Sequence, residues 1–355
     1  MRKILIKNGR IFDGDRFIFS DLLVEGESIA KIESGISDSV DITFDASGKT
    51  VSAGLVDIHT HLRGVSSTRF GIQAEMSCFP FGVTAAVAAS AVSGNRELLD
   101  SFALKNAVFV CAKIVDDCAD LTNAEKMAEV YGDKVVGIKV YYDTAETSVQ
   151  TAEPLRKICE YAHQKGLRVM VHCTNSPISM AELLDVLGAG DILTHAFHGG
   201  VNNAAIDGFE SMKTAKSRGV IIDTGCAGNV HTDFEVFGQA IKHGVLPNTI
   251  STDVTKLSSF VRGGRYGMTM CMSMARTLGM SEIDIFKAVT SAPANAVGRG
   301  SEWGRLEVGM PADIAVFDYT DEAFELTDRA GNRIQSDKGY RCVLTMSDGQ
   351  IVYKD

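Results

Sequence analysis

The chain has 355 residues, 45% of them hydrophobic and 23% charged, an ordinary globular composition long enough for one large α/β domain with an appendage. A formal net charge of −10 without a local basic patch argues against nucleic acid or an anionic membrane as partner. No stretch is apolar for long enough to act as a signal peptide or to span a bilayer, so a cytoplasmic protein is expected.

Residues 1–52 read as short strands with turns at Asn8-Gly9, Asp13-Gly14 and Glu25-Gly26. From residue 53 onward, short β-branched runs alternate with helical patterns, the signature of βα units around a parallel sheet. The runs fall at 53–58, 83–88, 107–112, 135–141, 168–172, 191–195, 220–224 and 249–253. The second and third are the weakest, because Ala85-Ala86-Val87-Ala88-Ala89 also suits a helix. In the segment that begins Thr151-Ala152-Glu153-Pro154, Thr151 is the expected cap, proline sits in the first turn, and Leu155, Ile158, Cys159 and Ala162 form the apolar face. Eight strands with crossovers predict a (β/α)8 TIM barrel over residues 53–303. Strands return in 304–355, as in Asp313-Ile314-Ala315-Val316-Phe317 and Gln350-Ile351-Val352-Tyr353, so a small β-domain built from both chain termini, 1–52 plus 304–355, is expected. Neither end carries a catalytic cluster, and its role reads as structural. The eight cysteines contain no Cys-x-x-Cys pair and lie mostly in apolar runs such as Phe109-Val110-Cys111, which suits reduced, buried side chains. Cys226 differs in following a predicted strand end.

The sharpest local feature is His59-Thr60-His61, which closes the first apolar run, Ala53-Gly54-Leu55-Val56-Asp57-Ile58. Residues two apart on a strand face the same side, about 6.5 Å from each other along the chain, so both imidazoles can reach one cation. Lys139, His172, His195 and Asp253 fall at the C-terminal ends of other predicted strands, the face where a barrel of this kind gathers its functional groups. Singly, each has a plainer reading: a histidine on an apolar strand is often a satisfied core residue, and a lysine can snorkel. An ammonium beside two divalent cations, however, would be strongly repelled, so in a metal site Lys139 must be neutral or covalently altered.

Four histidines, one lysine and one aspartate on strands one, four, five, six and eight resemble the amidohydrolase superfamily of binuclear type. The likeness extends over nearly the whole chain through Asn8-Gly9-Arg10-Ile11, the Gly54–His61 motif, Ser291-Ala292-Pro293-Ala294 and Gly309-Met310-Pro311-Ala312-Asp313-Ile314. The run Gly190-Asp191-Ile192-Leu193-Thr194-His195-Ala196-Phe197-His198-Gly199 is most similar to a dihydroorotase-like group, some of whose members cleave acetyl esters and amides. The resemblance implies two divalent metal ions, with Zn2+ the first choice and manganese, iron or cobalt also suited to the donors. It further implies a CO2-derived carbamate on Lys139 bridging both ions, His59 and His61 with Asp253 on one, and His172 and His195 on the other. Asp253 is then the base that takes a proton from solvent activated between the metals.

A small, carboxylate-bearing amide or ester is the expected substrate, with a cyclic amidase of dihydroorotase or hydantoinase type as the alternative. Arg63, two residues beyond His61, resembles the dihydroorotase arginine that grips a substrate carboxylate. Tyr141, Tyr142, Asn175, Asn229, His231, Arg262 and Arg265 are further loop candidates. His198 competes with His195 and, lying in the following loop, suits a supporting role or a substrate contact. Asp57 shares the parity of the histidine pair and is expected either to orient an imidazole or to pack; Asp223, ending strand seven, is a candidate substrate contact. Where the acetyl-hydrolysing relatives lead one to expect histidines, this chain has Cys226 after Gly225 and Val254-Thr255 after Asp253. A deaminase is disfavoured because that branch generally lacks the bridging lysine. A catalytically dead barrel would have apolar residues at ligand positions, and none is replaced. A homo-oligomer is compatible with the resemblance.

Overall fold

A computed structural model describes residues 1–62, 74–91, 94–228, 230–260, 266–321 and 324–355; Arg63, Asn229, Arg262 and Arg265 lie outside the described residues. At its centre seven parallel strands run in chain order: Leu55–Thr60, Val83–Ala91, Lys105–Cys111, Val135–Tyr141, Arg168–His172, Ile192–Thr194 and Ile221–Ile222. Their residues are buried on both faces almost throughout, the condition under which a parallel sheet reads as near-continuous apolar runs. The ambiguous alanine-rich second run is a strand, paired in parallel with the first and with the third.

The expected eighth strand is not regular. Residues 249–254 are hydrogen-bonded on both sides. Thr224, Cys226 and Ala227 donate backbone N–H groups to Thr249, Ser251 and Thr252, while Asp253 N–H reaches the His59 carbonyl at 2.7 Å. Single parallel bridges join Asp223 to Thr249 and Thr60 to Val254. The fold is thus a TIM-barrel-like α/β arrangement. Inside it, Gly137 lies two residues before Lys139 on the same strand face. A β-carbon at Gly137 would fall 2.6 Å from the Phe109 ring and 2.5 Å from the Arg168 carbonyl, so glycine there lets the fully buried ring fill the space beneath the lysine.

The helix Glu153–Gln164 buries Pro154, Leu155, Ile158, Cys159 and Ala162 as its spacing predicts. Its cap is not Thr151: the helix starts one residue later, after Ala152, without a side-chain cap, and the Thr151 carbonyl instead accepts from the Tyr142 hydroxyl. Tyr142 is thereby a buried structural side chain.

The chain ends share an eight-stranded sheet. Thr50–Ala53 pairs in parallel with Lys3–Phe12 and antiparallel with Ile314–Thr320, which continues to Gly339–Ser347 and Gln350–Lys354. Ile4, Ile6, Leu22, Val24, Val51, Ile314, Val316 and Leu344 form its separate apolar core. Phe324–Thr327 and Arg333–Ser336 depart from this sheet as a two-stranded hairpin. Among the described residues no helix is long and apolar enough to cross a membrane.

Candidate metal centre

His59 lies near the end of the first strand and His61 directly follows it, Lys139 lies in the fourth, His172 ends the fifth, and His195 directly follows the sixth. Two groups of donor atoms converge where these ends meet. His59, His61 and Asp253 form one; His172, His195 and His231 form the other, and within each group the atoms lie within 4.8 Å of one another. Lys139 Nζ lies 3.4 Å from His59 Nε2 and is fully buried. Asp253 Oδ1 is 2.8 Å from His61 Nε2 and 3.4 Å from His59 Nε2, and its Oδ2 is 3.6 Å from His231 Nε2.

Hydrogen bonds fix which ring nitrogens carry protons. The Thr194 hydroxyl donates to Asp223 Oδ2 at 2.7 Å, so it can only accept from His59 Nδ1 at 2.8 Å, which leaves His59 Nε2 as a bare lone pair. The Gly225 carbonyl can only accept, so His195 Nδ1, at 2.6 Å, holds the proton and Nε2 is bare. His172 donates Nε2–H to Asp143 Oδ2 at 3.3 Å, leaving Nδ1 bare. Thr174 Oγ1 holds His231 Nδ1 at 3.0 Å.

Burial, followed by the neighbouring cationic groups, pushes His59 and His195 well below the usual imidazole range, and burial lowers His172 as well. His231 falls to about 3, again chiefly by burial. Burial also depresses Lys139 to about 8, against the pull of Asp253 and Asp223. These four rings are therefore neutral at neutral pH, and the bare nitrogens of His59, His172 and His195 belong to the two converging donor groups. Without a cation between them such donors repel; with one they become ligands. On the chemistry of its donors, the site fits divalent metal.

The backbone is bent to serve this arrangement. His195 has φ 59° and Asp253 has φ 48°, left-handed conformations that cost a non-glycine residue about 1–3 kcal/mol and persist only where packing enforces them. Gly225, at φ +48°, is required by proximity as well: a β-carbon there would meet Thr194 Oγ1 at 2.4 Å and His195 Nδ1 at 2.5 Å.

Asp223 is not a substrate contact. It is fully buried beneath His59, accepting from the hydroxyls of Thr194, Thr249 and Ser251, and acts on the centre by fixing the Thr194 hydroxyl. Asp57 accepts from the backbone N–H groups of His59 and Thr252, each at 3.2 Å, and from the Thr252 hydroxyl, so it tethers the first strand to the segment carrying Asp253 rather than touching an imidazole ring. His198 is fully buried, its Nδ1 accepting from the Gly200 N–H at 3.0 Å. The half-buried Tyr141 places its ring 5.5 Å from that of His172. Asn175 sits at φ 57° in the loop after the fifth strand, with its side-chain oxygen accepting from Arg329 at 2.8 Å. Cys226 packs in the core and donates its thiol to Thr224 Oγ1. Sequence reasoning missed Asp143, Thr174, Thr194 and Gly225, and it held His231 only as a loop candidate. The one available signal was Asp143, two residues past the fourth strand.

A sequence model of the amidohydrolase family matches residues 50–352. A curated deacetylase of Enterococcus faecalis is 28% identical to this chain over 375 residues, with 98% of each protein covered. Crystal structures of a dihydroorotase and of an adenine deaminase each superpose with a TM-score of 0.87. The first is 24% identical, covering 100% of this chain and 98% of its own; the second is 25% identical, covering 100% of both. With the family match spanning most of its length, the chain belongs to the amidohydrolase family and is a hydrolase.

Proposed function

We propose that the protein hydrolyses an amide or ester bond in a small, carboxylate-bearing substrate, in the manner of a metal-dependent deacetylase. The observation that carries this reading is the pair of donor groups, with bare ring nitrogens on His59, His172 and His195, flanking a fully buried lysine and Asp253. His59, His61 and Asp253 would hold one divalent ion and His172 and His195 a second, with Zn2+ the best match to imidazole and carboxylate at this ratio. Lys139 would join the two as a carbamate. A lysine depressed to about 8 has an accessible neutral amine, and that amine adds CO2 with loss of one proton. When bound, such ions supply acidity to a water and polarise the scissile carbonyl. Asp253 accepts the water's proton at Oδ2, the oxygen facing His231 and not taken by His61, and returns it to the departing amine or alkoxide. Segment 249–254 serves in this reading as the eighth strand closing a (β/α)8 barrel of residues 53–303, with 1–52 and 304–355 as the terminal β-domain.

Similarity to the E. faecalis deacetylase over the full chain favours a linear acyl substrate. Similarity to a dihydroorotase structure keeps the cyclic amide as the alternative. The test is metal analysis of protein purified without chelator, with parallel assays of N-acetyl amino acids, dihydropyrimidines and adenine. Two metals per chain with release of acetate is the expected result. Ring opening selects the cyclic amidase, and ammonia released from adenine alone overturns the proposal.

A further inference from the structure

The hairpin that leaves the terminal sheet ends on the rim of the metal centre. Its loop is fastened by Asp328, which is buried and accepts from the Phe234 N–H at 3.0 Å and from the Asn332 N–H at 2.8 Å. The next residue, Arg329, donates its backbone N–H to the Thr232 carbonyl at 3.0 Å, one residue from His231. Its guanidinium donates from Nη2 to Asn175 Oδ1 at 2.8 Å. Asn175 follows Thr174, which orients His231, and stands three residues beyond His172. The cation is therefore clamped between the loops after the fifth and seventh strands, close enough to bear electrostatically on Asp143, His198 and His231. Among the described residues no carboxylate forms an ion pair with it, and the side chain is exposed. One of its five N–H donors is spent on Asn175, which fixes the plane of the fork and leaves the others free. On a chain of net charge −10, an anionic substrate gains little from the long-range field and depends on a local cation.

We propose that Arg329 binds the carboxylate of the substrate whose acyl group lies at the metal centre, making the C-terminal hairpin a specificity element. This rests on the hydrolytic reading above. A guanidinium held by Asn175 meets a carboxylate in a two-pronged, charge-assisted contact that neither a neutral amide nor an ester can reproduce.

The experiment compares N-acetyl amino acids with their carboxamides on the metal-loaded wild type, R329Q and R329K, with thermal unfolding and metal content recorded for each. The expected result is a wild-type preference for the acid that falls by about tenfold or more in R329Q, the loss of one charge-assisted contact, and that is carried by KM rather than kcat. R329K, which keeps the charge but not the fork, lies between. Equal losses on acid and carboxamide would indicate that Arg329 merely props Asn175, and a wild type indifferent to the carboxylate would mean no such contact forms; either overturns the proposal while leaving the hydrolase reading intact. If the wild type hydrolyses neither compound, that reading fails and Arg329 is judged by equilibrium dialysis of the same pairs. Preferential binding of the acid that R329Q abolishes supports the assignment, and its absence overturns it.

Discussion

Replacing Gly225 by alanine adds one methyl group and perturbs the centre without removing any donor. At φ +48° the new side chain costs about 1–2 kcal/mol in backbone strain. Its β-carbon would stand 2.5 Å from His195 Nδ1, well inside the 3.4 Å at which ordinary contact begins, so ring and loop must separate by roughly 1 Å. That movement breaks the 2.6 Å bond to the Gly225 carbonyl, worth about 1 kcal/mol net, and with it the restraint that keeps His195 Nε2 bare and aimed. The expected destabilisation is about 2–4 kcal/mol, or a fall of roughly 3–5 °C in Tm for a chain of this length. Loss of the orienting acceptor should also weaken the second metal by about 10–100-fold. Thermal unfolding of Gly225→Ala, combined with metal content after dialysis against a graded series of chelator, reads both effects. A variant that melts with the wild type and keeps two metals at every chelator concentration would refute the account of His195.

Asp253→Asn should retain metal and lose most turnover, as measured by metal content and kcat; near-normal kcat would remove Asp253 from its role as base. Asp143→Ala frees His172 Nε2 from the carboxylate that orients it and should weaken the second metal by about 10–100-fold with little change in the first, as seen in a metal titration. Burial raises the Asp57 carboxyl to about 7, above its unfolded value near 3.8, so its contribution to stability is complete below about pH 4 and is lost as pH rises through 7. Urea midpoints of metal-free Asp57→Asn should accordingly improve relative to wild type between pH 4 and pH 8, by an amount on the order of a few kcal/mol; parallel pH profiles would show that the tethering bonds already keep Asp57 ionised. Chelation should lower Tm, and added zinc should restore it in proportion to the logarithm of its free concentration.

The parallel core was legible because strands buried on both faces announce themselves as apolar runs: 135–141 and 168–172 coincide with the observed strands. The segment carrying Asp253 was less so, since Ser251 and Thr252 spend their side chains on Asp223 and Asp57 and the backbone turns left-handed at Asp253. The donors themselves could be named from strand ends and resemblance. Their supports could not, because Thr194, Thr174, Asp143 and Gly225 act across strands by hydrogen bonds that no local spacing encodes. The hairpin of Arg329 was absorbed into the terminal β-domain for a similar reason: its short strands read like those beside it, and only tertiary contact separates them.

The sheet shared by the two chain ends also bears on biosynthesis. Thr50–Ala53 is joined on one side to Lys3–Phe12, made moments earlier, and on the other to Ile314–Thr320, made some 260 residues later. On the ribosome that second edge stays open through synthesis of the whole catalytic region, an unpaired row of N–H and C=O groups of the sort that invites foreign strands. The nascent protein thus carries a pairing-competent margin until residues 314–320 emerge to cover it.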